Sequence, residues 1–211
     1  MRPTRTTVDG FVRRPVASWM ASVQRRDFRC VNTPQGYPTP SHSILLSDVK
    51  VPKENRIGDD GFGFKFAMKT LAGGRIGIAS QALGIASGAY ELSLAYSKQR
   101  KAFGKEIMHY QAIQFKLADM ATKIEAARLL CLKAAWEKDN KLDYTLSSSM
   151  AKVFASETAM WTATEAVQIH GGYGFVKEYH VERMMRDAKI TQIYEGTSEV
   201  QRIVISRSIL K

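Results

Sequence analysis

Apolar side chains return every three or four residues along most of this chain, a period that commits it to helices packed side by side. Between Phe64 and Gln99 one face reads Ile78, Ala82, Ile85, Ala89, Leu92 and Tyr96. Between Tyr110 and Lys138 it reads Ile113, Leu117, Met120, Ile124, Ala127, Cys131 and Ala134. Such a stripe must be covered by another helix. A third helix is expected from Tyr144 to Ile169, carrying Leu146, Met150, Val153 or Phe154, Glu157 and Trp161, with Asp143 as its N-cap. A short helix from Glu178 to Met185 and a last one from Ser198 towards Leu210 follow. Short connectors reverse the chain, so the expected fold is all-α: an up-down-up-down four-helix bundle with a short β remnant before it. Gly73, Gly74, Gly77, Gly84 and Gly88 each weaken the first helix by up to about 1 kcal/mol against Ala, which implies close approach of a helix or ligand.

The start of the chain has a different texture. Residues 1–42 hold five of the six prolines and seven Arg without a Lys, and they show no helical or sustained strand period. They read as an irregular, unassigned leader; an Arg-rich, acid-poor start also fits a mitochondrial transit peptide. A switch to Lys-containing usage near Lys50 suggests a junction, and a leader fused to a domain fragment is the expected account. Residues 43–62 read as one edge strand stopped by Pro52 and a turn-rich connector, and residues 63–211 as the bundle.

The formal net charge of +11 raises nucleic acid as a partner, but nearly half the excess lies in the first 42 residues. The other basic residues are interleaved with acids, as on solvated helix faces, so no nucleic-acid binding is expected. No apolar run approaches the roughly 20 residues that cross a bilayer, so no membrane association is expected either. Cys30 and Cys131 stand far apart without a C-x-x-C, and His42, His109 and His180 have no ligand spacing. Disulfide and metal sites are therefore not expected, and a reducing compartment is.

Chemistry is concentrated near the C-terminus, in Ile193-Tyr194-Glu195-Gly196-Thr197-Ser198-Glu199-Val200-Gln201-Arg202. This is an acid on a tight turn beside a helix start. Thr197 or Ser198 is the N-cap, and Gln201 stands where a capping-box partner would sit. Free N–H groups of the first turn suit an anion or phosphate, although a loop Glu favoured by the helix dipole would look the same. His170-Gly171-Gly172-Tyr173-Gly174 interrupts the third helix; its glycines permit φ > 0 and leave N–H groups open to a ligand, or are a plain helix stop. An esterase oxyanion loop is set aside, because no G-x-S-x-G elbow supplies a nucleophile.

Taken together, Thr70 to Ile205 resembles the C-terminal helical domain of the acyl-CoA dehydrogenases, in particular the short-chain, butyryl-type members. The matching motifs are Gly74-Arg75-Ile76-Gly77-Ile78-Ala79, Arg100-x-x-Phe103-Gly104, Gln111 with Gln114 to Met120, Gln168-Ile169-x-Gly171-Gly172-x-Gly174, Arg186-Asp187-Ala188, and Ile193 to Arg202. Leu46 to Phe66 resembles the end of that family's middle β-domain.

The resemblance implies that Glu195 is the base that removes the α-proton of an acyl-CoA thioester while the β-hydrogen leaves to FAD. Some relatives carry the base on the first helix; here Gly73 and Gly74 stand there, which leaves Glu195. It implies FAD contacts at Arg100, Phe103 and Gln111, at Gln168, Ile169, His170, Gly171 and Gly172, and at Thr197, Ser198 and Glu199. A guanidinium suits a pyrophosphate and glycines admit close backbone approach; otherwise Arg100 is a solvated helix end and Phe103 is core. Gly74, Arg75 and Gly196 correspond to acyl-CoA contacts. The implied partners are an acyl-CoA substrate, electron-transferring flavoprotein and further copies in a homodimer or homotetramer. The expected place is the cytoplasm, alternatively the mitochondrial matrix. The implied N-terminal domain has no counterpart in residues 1–42, so a truncated enzyme is expected, or alternatively a non-catalytic module retaining only the oligomerisation and FAD-contact surface.

Overall fold

The computed structural model of the chain describes residues 28–31 and 43–211. The chain divides into two units between Asp59 and Asp60. In the first, β1 (Phe28–Val31) pairs antiparallel with β2 (Ser43–Leu46), Phe28 opposite Leu46 and Val31 opposite Ser43. This corrects the expectation that all of residues 1–42 are irregular. Four residues are too few to show a period, and the ladder depends on a segment separated from it by eleven residues. The leader and transit-peptide readings otherwise fall on residues 1–27 and 32–42, outside the described residues.

The second unit is helical. It holds α1 (Phe62–Gln99), α2 (Gln111–Asp139), α3 (Thr145–His170), α4 (Val181–Thr191) and α5 (Ser198–Ile209). Between α1 and α2 lies a hairpin, β3 (Lys101–Ala102) against β4 (Lys105–Glu106). The architecture is the expected bundle, with three long helices and two short ones. The fourth helix runs from Val181 to Thr191 rather than from Glu178 to Met185. Asp143 acts as expected at the start of α3, its Oδ1 accepting the Thr145 N–H at 2.9 Å.

Helix α3 packs against each of the other four, and that placement explains the composition of the core. Its buried residues are mostly small: Ala151, Ala155, Ala159, Ala163 and Ala166, with Ser147, Ser148, Ser149 and Ser156. Opposite them α1 buries Ala79, Ala82, Ala86, Ala89, Ser93 and Ser97. Small residues let the helix axes approach, so the seam is alanine-lined. The expected stripe on α1 is displaced accordingly: Ile78 and Ile85 flank the seam half-buried, and Leu92 is exposed. On α2 the expected stripe is the observed one, with Met120, Ile124, Ala127, Cys131 and Ala134 buried.

Candidate functional site

The turn between α4 and α5 is built by a short run of backbone closures. The Ile193 N–H donates to the Ile190 carbonyl at 2.9 Å, and the Ser198 N–H reaches back to the Gln192 carbonyl at 2.9 Å. The Tyr194 hydroxyl donates to Gln81 Oε1 on α1 at 2.5 Å. Within this closure Glu195 has φ 55° and Gly196 has φ 89°. The left-handed region costs a residue with a Cβ roughly 1–2 kcal/mol, so Glu195 is held there by its surroundings.

Those surroundings come from three helices. Thr197 is the N-cap of α5, its hydroxyl accepting the Val200 N–H at 3.3 Å. Gln201 does not act as a capping-box partner. It is fully buried, and its Nε2 donates to the carbonyls of Glu195 at 3.0 Å and Gly196 at 3.1 Å, which the left-handed turn strands away from any helix ladder. From α3, the fully buried Lys152 donates from Nζ to the same Gly196 carbonyl at 2.7 Å. From α1, Gly74 faces the Glu195 carboxylate. Beside it Arg75 Nη1 donates to Ser149 Oγ at 3.1 Å; burial lowers the Arg75 pKa, against the opposing pull of Glu195.

Four buried polar atoms in this cluster lack a hydrogen-bond partner: Arg75 Nε, Glu195 Oε2, Ser198 Oγ and Gln201 Oε1. Each orphan costs about 1–3 kcal/mol. Four of them around one turn, on residues otherwise well anchored, mark a place shaped for a polar ligand.

A second cluster lies at the other end of α1. A cavity of about 490 Å³ is lined by Tyr96, Arg100, Ala102, Ile107, Ile169, His170, Gly171, Gly172, Tyr173 and Val176. His170 is buried, stacked on Tyr96 at 4.2 Å between ring centres, and its Nδ1 donates to the Ala166 carbonyl at 2.8 Å. Burial lowers its pKa, against the pull of that hydrogen bond, so it stands neutral with Nε2 free to accept. Arg100 lies over the Tyr173 ring at 5.4 Å. Gly171 has φ 60°, whereas Gly174 is needed for space: a Cβ there would stand 2.5 Å from the Val167 carbonyl oxygen.

Residues 61–210 match the family model described as acyl-CoA dehydrogenase, C-terminal domain. The chain belongs to the acyl-CoA dehydrogenase family. It is 56% identical over 168 residues to the caffeyl-CoA reductase-Etf complex subunit CarC of Acetobacterium woodii, covering 80% of this chain and 44% of that protein. It is also 56% identical over 168 residues to the short-chain specific acyl-CoA dehydrogenase of Megasphaera elsdenii, with the same two shares. The three-dimensional structure of butyryl-CoA dehydrogenase from Megasphaera elsdenii superposes with a TM-score of 0.78 at 55% identity, over 82% of this chain and 45% of that one. The chain thus spans less than half the length of these relatives.

The acyl-CoA dehydrogenase motifs do not converge on one point in this chain. Gly74, Arg75, Glu195, Gly196, Thr197, Ser198 and Glu199 belong to the turn cluster; Arg100, Ile169, His170, Gly171 and Gly172 line the cavity. Gly74 and Tyr96 stand twenty-two residues apart on α1, about 33 Å at 1.5 Å per residue. Phe103 is not core. It is 98% exposed at the tip of the β3–β4 hairpin, with φ 49° beside Gly104 at φ 88°, both left-handed as a two-residue type I′ turn requires. The Tyr110 hydroxyl braces that hairpin by donating to the Ala102 carbonyl at 2.8 Å. Gln111 is exposed at the first position of α2, Gln168 is exposed near the end of α3, and Glu199 is exposed in the first turn of α5. Lys152, Ser149 and Gln81 escaped the sequence reading. For Lys152 there was a signal, a lone cation among Ser147, Ser148, Ser149, Ala151 and Ala155 on what had to be an inner helix. Among the described residues no helix is long and apolar enough to cross a membrane.

Proposed function

We propose that this chain carries the base-bearing helical part of a FAD-dependent, short-chain acyl-CoA dehydrogenase, with Glu195 as the base. One observation carries the reading: the Glu195 carboxylate sits on an anchored left-handed turn against side-chain-free Gly74, with Oε2 buried and unpartnered. A carboxylate oxygen offers the lone pair that proton abstraction needs, and here no donor of the chain occupies it. It takes the α-proton of the acyl-CoA thioester as the Cα–Cβ double bond forms. Bound FAD supplies the two-electron acceptor for the β-hydrogen. Arg75, half-buried beside the carboxylate, adds fixed positive potential where charge builds on the thioester carbonyl.

The residues present fit a flavin dinucleotide. Ser198 Oγ and Gln201 Oε1 are orphans awaiting polar partners. At the other cluster the Arg100 guanidinium and the backbone of His170 to Gly172 suit a pyrophosphate, with Phe103 standing clear of its own chain. A single flavin dinucleotide is shorter than the separation of the two clusters. One copy would then hold the base end of its own flavin and lend Arg100 and Phe103 to a neighbour's, which fits a homodimer or a homotetramer built from it. Exposed Phe115, Leu129, Leu132 and Trp136 along α2 are apolar surface of the kind a further copy covers. Electron-transferring flavoprotein is the fitting acceptor, given that one relative is a subunit of an Etf complex. The test is α-proton exchange of butyryl-CoA in deuterium oxide: Glu195→Gln should abolish it while leaving the helical spectrum intact. Exchange at the parent rate in that variant sinks the assignment.

A further inference from the structure

Among the described residues Lys152 is the one lysine or arginine that is fully buried. It rises from α3, between Ala151 and Ala155, and its partner is the Gly196 backbone carbonyl rather than a carboxylate. An ammonium taken out of water costs several kcal/mol unless it is well partnered, and an apolar chain of the same length would pack there without that cost. The side chain is explained by what its nitrogen holds.

What it holds is the hinge of the turn. Glu195 and Gly196 are consecutive left-handed residues, and both of their carbonyls point away from any helix ladder. Gln201 on α5 grips both, while Lys152 on α3 grips Gly196 from the bundle interior. With one anchor the turn would be free to pivot about it; two anchors on different helices fix its orientation. That orientation decides where the Glu195 carboxylate stands relative to Gly74, and a displacement of about 1 Å at a reacting group can cost two orders of magnitude in rate. We propose that Lys152 is a positioning residue for Glu195, fixing the aim of its carboxylate through the Gly196 carbonyl. The role rests on Glu195 being the base; the grip on the turn does not.

The charged groups facing Lys152 are Glu199, Glu195 and Arg75; burial outweighs the two acids and brings its pKa down to about 8. That makes the contact observable. In the isotope-labelled chain the Gly196 carbonyl ¹³C resonance should follow the titration of the Lys152 side chain, and in Lys152→Met this dependence should vanish. Lys152→Met should also raise the exchange rate of the Ser198 amide, which closes the turn onto Gln192, at least about tenfold, while Ala159 in α3 stays protected. Lys152→Arg should restore the protection. A Gly196 carbonyl indifferent to Lys152, or a Ser198 amide equally protected in Lys152→Met, overturns the proposal. If Lys152→Met does not fold, the parent titration and Lys152→Arg decide in the same way. In parallel, butyryl-CoA α-proton exchange should fall at least about tenfold in Lys152→Met and recover in Lys152→Arg. Exchange unchanged in Lys152→Met but lost in Glu195→Gln removes the positioning role and leaves the base standing; exchange retained in both removes the base.

Discussion

Glu195 and Gly74 are so close that no methyl group fits between them. A Cβ at position 74 would lie 2.9 Å from the Glu195 Cδ and 3.2 Å from Oε1. The obstacle is the end of a flexible side chain, so Gly74→Ala should fold and turn the carboxylate aside. Helix α1 should gain up to about 1 kcal/mol from the substitution. Butyryl-CoA α-proton exchange should nevertheless fall at least about tenfold. A variant that is both more stable and fully active would show that the close approach has no catalytic meaning.

Arg100 and Phe103 make few demands on their own fold. Arg100 is exposed at the end of α1, and Phe103 is 98% exposed. Arg100→Ala and Phe103→Ala should each change unfolding free energy by no more than about 0.5 kcal/mol. If they serve a flavin, FAD retention measured by fluorescence quenching should weaken about tenfold or more in Arg100→Ala. Undiminished retention would return Arg100 to the role of a solvated helix end.

Gly174→Ala tests a packing constraint. The added Cβ would meet the Val167 carbonyl oxygen at 2.5 Å and the Val167 Cα at 3.0 Å, both backbone atoms that cannot swing away. A loss of about 1–3 kcal/mol is expected in denaturant unfolding. The damage should stay near the His170 loop, with helical content retained.

The buried amine also gives stability a pH dependence. Lys152 titrates near 8 in the folded chain against 10.5 when unfolded. Above about pH 8 the unfolded state therefore binds the extra proton, and stability should rise with pH, by less than about 1.4 kcal/mol per unit. Cys131 acts in the opposite sense. Burial pushes its thiol up to about 11 from 9.0, so stability is lost as pH rises from about 9 through 11. The clean window is pH 8 to 9, where thermal unfolding should show a gain that Lys152→Met lacks.

How much was legible in advance depended on whether the cause was local. The α2 stripe was read residue by residue because α2 lies on the outside of the bundle, with one face buried and one wet, and such a helix displays its period. On α3 the helix stands where expected, but its buried face differs from the expected stripe for the opposite reason. A helix packed on four sides buries nearly its whole circumference, so its alanines and serines carry no stripe and the larger Leu146, Met150 and Trp161 are left half-buried at the edges. Phe103 is open between core and contact in the sequence, and only its place at the hairpin tip shows that it is not core. Gln201 was assigned to a cap by its offset from Thr197, whereas burial turned its amide to the stranded carbonyls instead.

By itself, then, the sequence determined the helices, the order of the motifs, and Glu195 as the acid on a glycine turn, because periodicity, caps and glycines act over a few residues. The tertiary structure decided that the motifs form two clusters at opposite ends of α1, that Gly74 is empty to admit a carboxylate, and that Lys152 and Gln201 hold the turn. Those are facts about which side chains lose water to one another, and burial is set by partners far away in the chain.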